Sequence, residues 1–198
     1  MRGADDGREE MDTVDEGKRE RLVRMRQSLA EAGLDGLVCR LPENLLCLTG
    51  YWPLSGVSFF MLPRDGDPVI IALATEAEAG LLPSDISCAV FPWGKVSDPA
   101  PLTSILRLLR GRGMSRLGWE GAFEAVAPAH VAGEVLVPAR CTAAMLEEAF
   151  PRAVLVDATA VLSRERAVKL PADVEGLRRV AAVAERAVLA FEASFALG

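Results

Sequence analysis

Side chains that could bind a metal ion or act as a catalytic acid or base are few in this sequence. Metal catalysis requires several His, Asp, Glu or Cys side chains to converge on one ion, and the 198 residues include one histidine, His130. We interpret His130, in an Ala- and Pro-rich segment, as a surface or packing residue. Asp157 is the best-placed carboxylate because it follows an apolar run, and we interpret it as the cap of the next helix. The residues therefore predict no catalytic or metal-binding side chain, and an enzyme built around His130 and Asp157 is the least favoured alternative.

Motifs for nucleophilic catalysis and phosphate binding do not occur in the required context. Ser55–Ser58 precedes an apolar strand, whereas a nucleophile elbow lies between a strand and a helix. The glycines Gly111, Gly113 and Gly118 follow a predicted helix and lead to a strand, whereas phosphate-binding turns follow a strand and open a helix. We interpret this glycine segment as a loop.

Charge and hydropathy exclude two classes of partner. The net charge of −6 argues against nucleic-acid binding, and we interpret the local Arg107–Arg116 cluster as a solvated helix end. The longest apolar runs, such as Val69–Ala74, are far shorter than the ~18–20 residues of a membrane-spanning helix. The charged segment Met1–Gly17 has no apolar stretch typical of a signal peptide, and we expect a disordered tail there. The sequence predicts a soluble protein.

The cysteines indicate a reducing compartment. Four are scattered along the chain without a CxxC pair, and we interpret Cys39, Cys47 and Cys88 as small core residues. Since disulfides are rare in the cytosol, this pattern favours a cytoplasmic location.

One loop has the composition of a functional surface. The segment Gly50–Gly56 places Tyr51 and Trp52 among turn residues. Aromatic side chains with a polar edge on such loops often line ligand or partner surfaces. The alternative, that both side chains fold back as a lid on the core, is equally consistent with the sequence.

The elements that position these residues alternate between strands and helices. Several strands are apolar on both faces, which is typical of an α/β layer architecture with helices covering a buried sheet. The segment Gly121–Val137 predicts only part of a helix, near Glu124. Predicted helices cover Lys18–Ala32, Glu43–Thr49, Thr75–Leu82, Pro101–Arg110, Thr142–Phe150 and Thr159–Val168, and predicted strands cover Gly36–Arg40, Val57–Leu62, Pro68–Ala74, Ile86–Phe91, Leu117–Glu120 and Val154–Asp157.

The last predicted helix, from Pro171 through Leu197, carries an apolar stripe. A two-helix coiled coil is consistent with its alternating spacings of three and four. The flanking apolar residues Val180 and Val183 widen the stripe, which suits packing on a domain surface better. The stripe consists of Val174, Leu177, Ala181, Ala184, Val188, Phe191 and Phe195.

Three segments together resemble the N-terminal domain of the creatinase, prolidase and Xaa-Pro aminopeptidase family of M24 (pita-bread) metallopeptidases. Arg40–Tyr51 is similar to the family turn P-x-N-x-x-Y-L-T-G-F, and Leu117–Gly121 to the strand I-G-V-E. Arg166–Pro171, followed by Glu175 and Leu177, is similar to the family junction that begins R-x-x-K-S-P. Their order and spacing also agree with the family.

The resemblance implies a fold for this chain and a separate domain for catalysis. It implies a mixed sheet of ribonuclease-H-like arrangement over residues 18–168, and a linker with the first helix of a catalytic domain over 169–198. In the family, two divalent metal ions (Mn, Co or Zn) are held by two Asp, one His and two Glu downstream of this junction. Because the chain ends at Gly198, we expect it to lack these ligands and to be inactive, with the catalytic domain as its missing partner.

The resemblance also bears on partners and substrate. It implies a homodimer in which Tyr51 and Trp52 form a rim of the substrate pocket, either of their own subunit or of the other one. No Lys or Arg lies between Gly50 and Pro63, which disfavours creatine and favours proline-containing peptides as substrates of an intact parent. The alternative is a stand-alone protein-binding module that kept the fold without the catalytic half.

Overall fold

The computed structural model describes residues 3–54, 58–92, 106, 114–121 and 142–195, with side chains described from residue 17 onward. These residues form two compact units. The larger unit spans Arg21–Arg166, and the smaller combines Met1–Glu20 with Ala167–Gly198.

The larger unit is built on a six-stranded mixed sheet, as the sequence and the resemblance predict. The strand order is β4-β3-β2-β1-β5-β6. The β1–β2 and β2–β3 pairs are antiparallel, whereas β1–β5, β3–β4 and β5–β6 are parallel. The strands are β1 (Gly36–Cys39), β2 (Phe59–Pro63), β3 (Val69–Leu73), β4 (Ser87–Phe91), β5 (Arg116–Trp119) and β6 (Val154–Asp157).

Burial explains the composition of the strands. Every residue of the central strands β1, β2 and β3 is buried, which accounts for their continuous apolar sequences. The edge strands β4 and β6 are mostly exposed or half-buried. Gly66, with φ of 117° in the turn between β2 and β3, adopts a conformation that other residues rarely take. The sequence Asp65-Gly66 between two apolar runs predicts a hairpin, and the antiparallel pairing of β2 with β3 confirms it.

The helices match the predicted positions with two differences. The helix predicted from Lys18 begins at Gly3, within the segment for which the sequence predicts disorder. The helix predicted over Thr75–Leu82, with Thr75 as its expected N-cap, instead spans Ala74–Glu78 with Leu73 as its N-cap, and Gly80, at φ of 69°, lies just beyond its end. The helices are α1 (Gly3–Glu31), α2 (Pro42–Thr49), α3 (Ala74–Glu78), α4 (Thr142–Ala149), α5 (Thr159–Ala167) and α6 (Pro171–Phe195).

Both differences have physical reasons. Polar helix formers such as Glu and Arg support a helix without an apolar stripe, so hydrophobic periodicity in the sequence marks only part of α1. At α3, Leu73 ends a strand and turns directly into the helix, which leaves no separate capping residue. Glu76 on this helix is buried, a position that an acidic residue occupies only with partners.

The core of the larger unit consists of two clusters, one containing α1, α2 and α5 residues and the other containing α4 residues. Residues of β2 alternate between the clusters, as the two-residue period of a strand requires. Phe60 and Leu62 belong to the first cluster with Met25 and Leu45. Phe59 and Met61 belong to the second, with α4 residues including Met145 and Leu146.

The three cysteines predicted to be core residues differ in burial. Cys39 is buried and Cys47 is half-buried, but Cys88 is exposed, because it lies on the edge strand β4. Of the helix predicted over Pro101–Arg110, Leu106 alone is described, and it is buried.

Within the described part of the chain, no helix has the length and hydropathy to cross a membrane. The residues of the predictions for Glu124 and His130, and most of the Arg107–Arg116 cluster, lie outside the described part of the chain.

Candidate functional site

The carboxyl ends of β1 and β5 form the polar centre of the larger unit. These strands are parallel neighbours, with Val38 paired to Trp119, so the residues that follow them emerge at the same edge of the sheet. Arg40 follows β1 and Glu120 follows β5, and both are at least 95% buried. The sheet thereby brings a cation and an anion into its interior.

Glu120 caps the amino end of α2 from a different strand. One carboxylate oxygen accepts the backbone N–H groups of Arg40 at 2.7 Å and Leu41 at 2.9 Å. The other accepts a short hydrogen bond from the Asn44 side-chain amide. Because Leu41, the N-cap residue, provides no side-chain cap, the Glu120 carboxylate satisfies donors that a helix start leaves without partners.

Burial dominates the ionisation of Glu120. Its removal from water raises the pKa of the carboxyl group, while the hydrogen bonds from Asn44, Leu41 and Arg40 and the Arg40 charge lower it. The net pKa lies above the usual glutamate value. Burial therefore destabilises the charged carboxylate by more than its hydrogen bonds and the Arg40 charge stabilise it.

Arg40 connects this centre to α4. Its Nη1 donates to the Thr142 hydroxyl at 2.8 Å, and its guanidinium carbon lies 5.3 Å from the centre of the Phe59 ring. Planar guanidinium over an aromatic face is a favourable cation–π arrangement. Arg40 therefore fixes the first residue of α4 against the sheet.

Asn44 joins the third segment of the family resemblance to the first two. Its side-chain oxygen accepts a hydrogen bond from Arg166 Nη1 at 3.2 Å, while its amide donates to Glu120. Each of the three resembling segments thus contributes one polar side chain to a single network. The sequence motifs contain these residues, but sequence reasoning assigned them no function; the available signal was a polar residue beside an apolar strand or helix start in each segment.

The two aromatic residues of the loop after α2, Tyr51 and Trp52, differ in burial. Gly50, at φ of 73°, ends α2, and its N–H donates a hydrogen bond to the Leu46 carbonyl. Tyr51 is buried, with its hydroxyl donating to Glu76 and lying 3.0 Å from Ser58 Oγ. Trp52 is half-buried. The structure therefore places Tyr51 in the core and leaves part of Trp52 accessible.

Asp157 caps α5, as the sequence predicts. Its Oδ1 accepts the Thr159 hydroxyl at 2.6 Å and the Thr159 and Gly121 N–H groups at 2.9 and 3.1 Å. These bonds, those from Thr159 first, lower the pKa of the carboxyl group. A Cβ on Gly121 would lie 2.6 Å from the Asp157 carboxyl carbon, so glycine is required for this approach.

The described residues do not fit a divalent metal ion. No group of three His, Cys, Asp or Glu side chains converges among them, and the buried Glu120 carboxylate already accepts hydrogen bonds at both oxygens.

The predicted stripe lies on α6 in the smaller unit. Its large side chains are more than half exposed, while Val174, near the amino end of the helix, is half-buried. The rings of Phe191 and Phe195 meet edge to face, with centroids 4.6 Å apart. The exposed stripe residues are Leu177, Ala181, Ala184, Val188, Phe191 and Phe195.

Comparison with known proteins identifies the fold. The model of the creatinase/prolidase N-terminal domain matches residues 21–168. Comparison with curated proteins by sequence found no match, whereas 43 chains of solved structure match.

Three of these structures illustrate the likeness. The prolidase from Pyrococcus horikoshii is 15% identical with a TM-score of 0.62 over 86% of this chain, which spans only 41% of that protein. The creatinase/prolidase N-terminal domain of an X-Pro dipeptidase from Streptococcus pyogenes is 17% identical, with a TM-score of 0.53 over 72% of this chain and 95% of that one. The N-terminal domain of the cytoplasmic peptidase PepQ from Mycobacterium tuberculosis is 16% identical, with a TM-score of 0.53 over 74% and 98% of the two chains.

The family match covers most of the chain and coincides closely with the compact unit Arg21–Arg166. The network of Glu120, Asn44 and Arg166 brings together the three segments that resemble the family. The chain belongs to the creatinase/prolidase N-terminal domain family.

Proposed function

We propose that the unit Arg21–Arg166 is the non-catalytic N-terminal domain of an M24-type metallopeptidase that hydrolyses proline-containing peptides. In this proposal the domain contributes to dimerisation and shapes the substrate pocket, while the metal ions and the catalytic residues belong to a separate catalytic half. The observation that carries the proposal is the agreement between the family match over 21–168 and a unit with its own core.

The loop after α2 is the part of the domain that we propose for the pocket rim. Tyr51, anchored by Glu76 and Ser58, acts as a positioning residue that fixes the start of the loop. Trp52 and Leu54, which is 54% exposed, then offer apolar surface to a substrate. An apolar surface without a basic residue suits the ring of proline better than the carboxylate of creatine.

We also propose a cytoplasmic location. The thiols of the buried Cys39 and the exposed Cys88 are free, which is typical of proteins in a reducing compartment. The PepQ peptidase with a similar fold is named as cytoplasmic.

The first experiment measures metal content and hydrolysis of Xaa-Pro dipeptides by the purified chain with added Mn²⁺ or Co²⁺. We expect neither stoichiometric metal nor turnover, because the described residues contain no cluster of three metal-binding side chains. Turnover with bound metal would show that the catalytic residues lie on this chain and would overturn the proposal.

The second experiment tests the pocket rim in a polypeptide that carries this domain together with its catalytic half. We expect Trp52→Ala to raise KM for Xaa-Pro dipeptides more than it lowers kcat, because the loop contacts substrate without entering the chemistry. Leu46→Ala, which removes an exposed apolar side chain from α2, is the control and should leave both constants unchanged. Equal effects of the two substitutions would contradict the assignment of the rim to Trp52.

A further inference from the structure

Three buried polar side chains meet at the loop that follows α2. Tyr51, Ser58 and Glu76 are each at most 4% exposed, and the Tyr51 hydroxyl contacts both of the others. It donates to a Glu76 carboxylate oxygen and lies 3.0 Å from Ser58 Oγ. Buried polar groups in contact specify one arrangement, because a displaced group would lose its hydrogen bond without gaining one to water.

The proton inventory fixes the direction of these hydrogen bonds. A tyrosine hydroxyl carries one proton, and here that proton is donated to Glu76. The Ser58 hydroxyl must therefore be the donor in its contact with the Tyr51 oxygen. Donation runs from Ser58 to Tyr51 to Glu76, so the carboxylate on α3 is the acceptor at the end of the series.

The sheet topology explains why these distant segments meet. β2 pairs antiparallel with β3, with Phe59 opposite Ile71, so the start of β2 and the end of β3 lie at the same edge of the sheet. Ser58 directly precedes β2, and α3 directly follows β3. β1 also pairs antiparallel with β2, so α2 begins at this edge too. The strand order therefore brings the loop after α2 to a carboxylate on α3.

The residues that flank Trp52 are held on both sides. Thr49 Oγ1 accepts the Tyr51 N–H at 3.1 Å and donates to the Leu45 carbonyl at 2.7 Å, so Tyr51 is held at its backbone as well as at its hydroxyl. Ser58, on the other side, adjoins the fully buried strand β2. Trp52 itself is only half-buried. Because Trp52 follows Tyr51 directly, a displacement of Tyr51 displaces Trp52.

We propose that Glu76 is the positioning residue of the pocket rim: by accepting the Tyr51 hydroxyl, it holds Trp52 where it contacts substrate. The inference rests on the proposed function for the role of Trp52, and it places the control of that residue on a different element, α3. A rim that is ordered before substrate arrives loses less conformational entropy on binding, so the benefit is expressed as affinity.

The first test measures the accessibility of Trp52 in this chain by acrylamide quenching of its fluorescence. The background Trp93→Phe/Trp119→Phe leaves Trp52 as the single tryptophan. Glu76→Leu, which removes the acceptor, and Tyr51→Phe, which removes one oxygen atom, should each raise the quenching constant about twofold, because the segment opens more often. Glu76→Gln keeps an acceptor oxygen for Tyr51 and should retain the background value.

The matched control is Ser28→Ala. The buried Ser28 hydroxyl donates to the buried Glu165 carboxylate at 2.7 Å, so this substitution removes the same kind of bond between α1 and α5. It should leave Trp52 quenching unchanged, and far-UV circular dichroism verifies that each variant is folded. Unchanged quenching in Tyr51→Phe, an equal rise with Ser28→Ala, or an equal rise with Glu76→Gln and Glu76→Leu would overturn the proposal.

The second test uses a polypeptide that carries this domain together with its catalytic half. Glu76→Leu should raise KM for Xaa-Pro dipeptides more than it lowers kcat, because it acts on binding. In the Trp52→Ala background the same substitution should raise KM no further, since the residue through which it acts is already absent. A merely structural role of Glu76 would give additive effects, and additivity would overturn the proposal.

The two proposals fail in different measurements. An unaltered KM in Trp52→Ala, together with raised quenching in Glu76→Leu, would overturn the pocket role and keep Glu76 as the residue that holds Trp52. Unaltered quenching in Glu76→Leu would overturn the control by Glu76 and leave the KM prediction for Trp52→Ala standing.

Discussion

At the scale of single residues, the larger unit depends on a buried carboxylate that serves the backbone of a distant segment. Glu120 accepts two backbone N–H groups at the start of α2 and the amide of Asn44, and it is 5% exposed. Burying such a group is unfavourable by itself, as its raised pKa shows. Removing the Glu120 carboxylate destabilises the folded state more, because the N–H groups that it binds would remain buried without a hydrogen-bond partner.

Glu120→Ala should therefore lower the free energy of unfolding by about 3–5 kcal/mol, the range for breaking a buried charged network. The measurement is urea denaturation of the chain followed by circular dichroism. Glu147→Ala, which removes an exposed carboxylate from α4, is the control and should change stability by less than about 0.5 kcal/mol. Similar values for the two variants would show that Glu120 does not organise this edge of the sheet.

At the scale of elements, an acidic side chain stabilises the start of each of three helices. Glu120 serves α2, and Asp157 serves α5 through Thr159. At α6, the Asp173 carboxylate accepts the Leu170 N–H at 2.7 Å, which completes the Pro171 start predicted from the sequence. In each case an acidic group lies near the positive end of the helix dipole.

The lowered pKa of Asp157 predicts how stability changes with pH. Because the folded state holds this carboxyl below its usual pKa of 3.8, the charged form stabilises the fold above that value. This contribution is lost as the pH falls through the folded-state pKa. Asp157→Asn retains an acceptor for Thr159 but does not titrate, so its stability should decline less steeply with acid below about pH 4.

The measurement is the urea midpoint of both proteins from neutral pH down to about pH 2. Asp65→Asn, at an exposed turn residue, should keep the wild-type slope and serves as the control. An Asp157→Asn curve parallel to the wild type throughout would contradict a stabilising charge at the start of α5.

At the scale of the whole molecule, the two units differ in how they bury apolar surface. Both core clusters of the described residues lie entirely within Arg21–Arg166, whereas the large apolar side chains of α6 from Leu177 onward are exposed. The larger unit therefore contains what it needs to fold.

A fragment of residues 21–168 should consequently fold alone. We expect a cooperative thermal transition with a midpoint within a few degrees of the full chain, because the fragment retains both clusters and the Glu120 network. Differential scanning calorimetry or near-UV circular dichroism measures it. A fragment without a cooperative transition would show that the unit depends on residues outside it.

The sequence by itself determined the elements of this protein, because their signals are local. Apolar runs identified the six strands, helical periodicity and capping residues located the helices, and Asp65-Gly66 located the hairpin. It also determined the family, through three short segments whose order is visible without a structure. It did not show that α1 begins at Gly3 or that Cys88 is exposed, since polar helix extensions and edge positions leave no periodic signal.

Only the tertiary structure decided which of these residues meet. Glu120 lies 76 residues from Asn44, and Arg166 lies 122 residues from it, and nothing local in the sequence specifies those contacts. They follow from the strand order that makes β1 and β5 parallel neighbours. The same holds for Tyr51 and Trp52, adjacent in sequence, because only packing against Glu76 and Ser58 buries the first and leaves the second accessible.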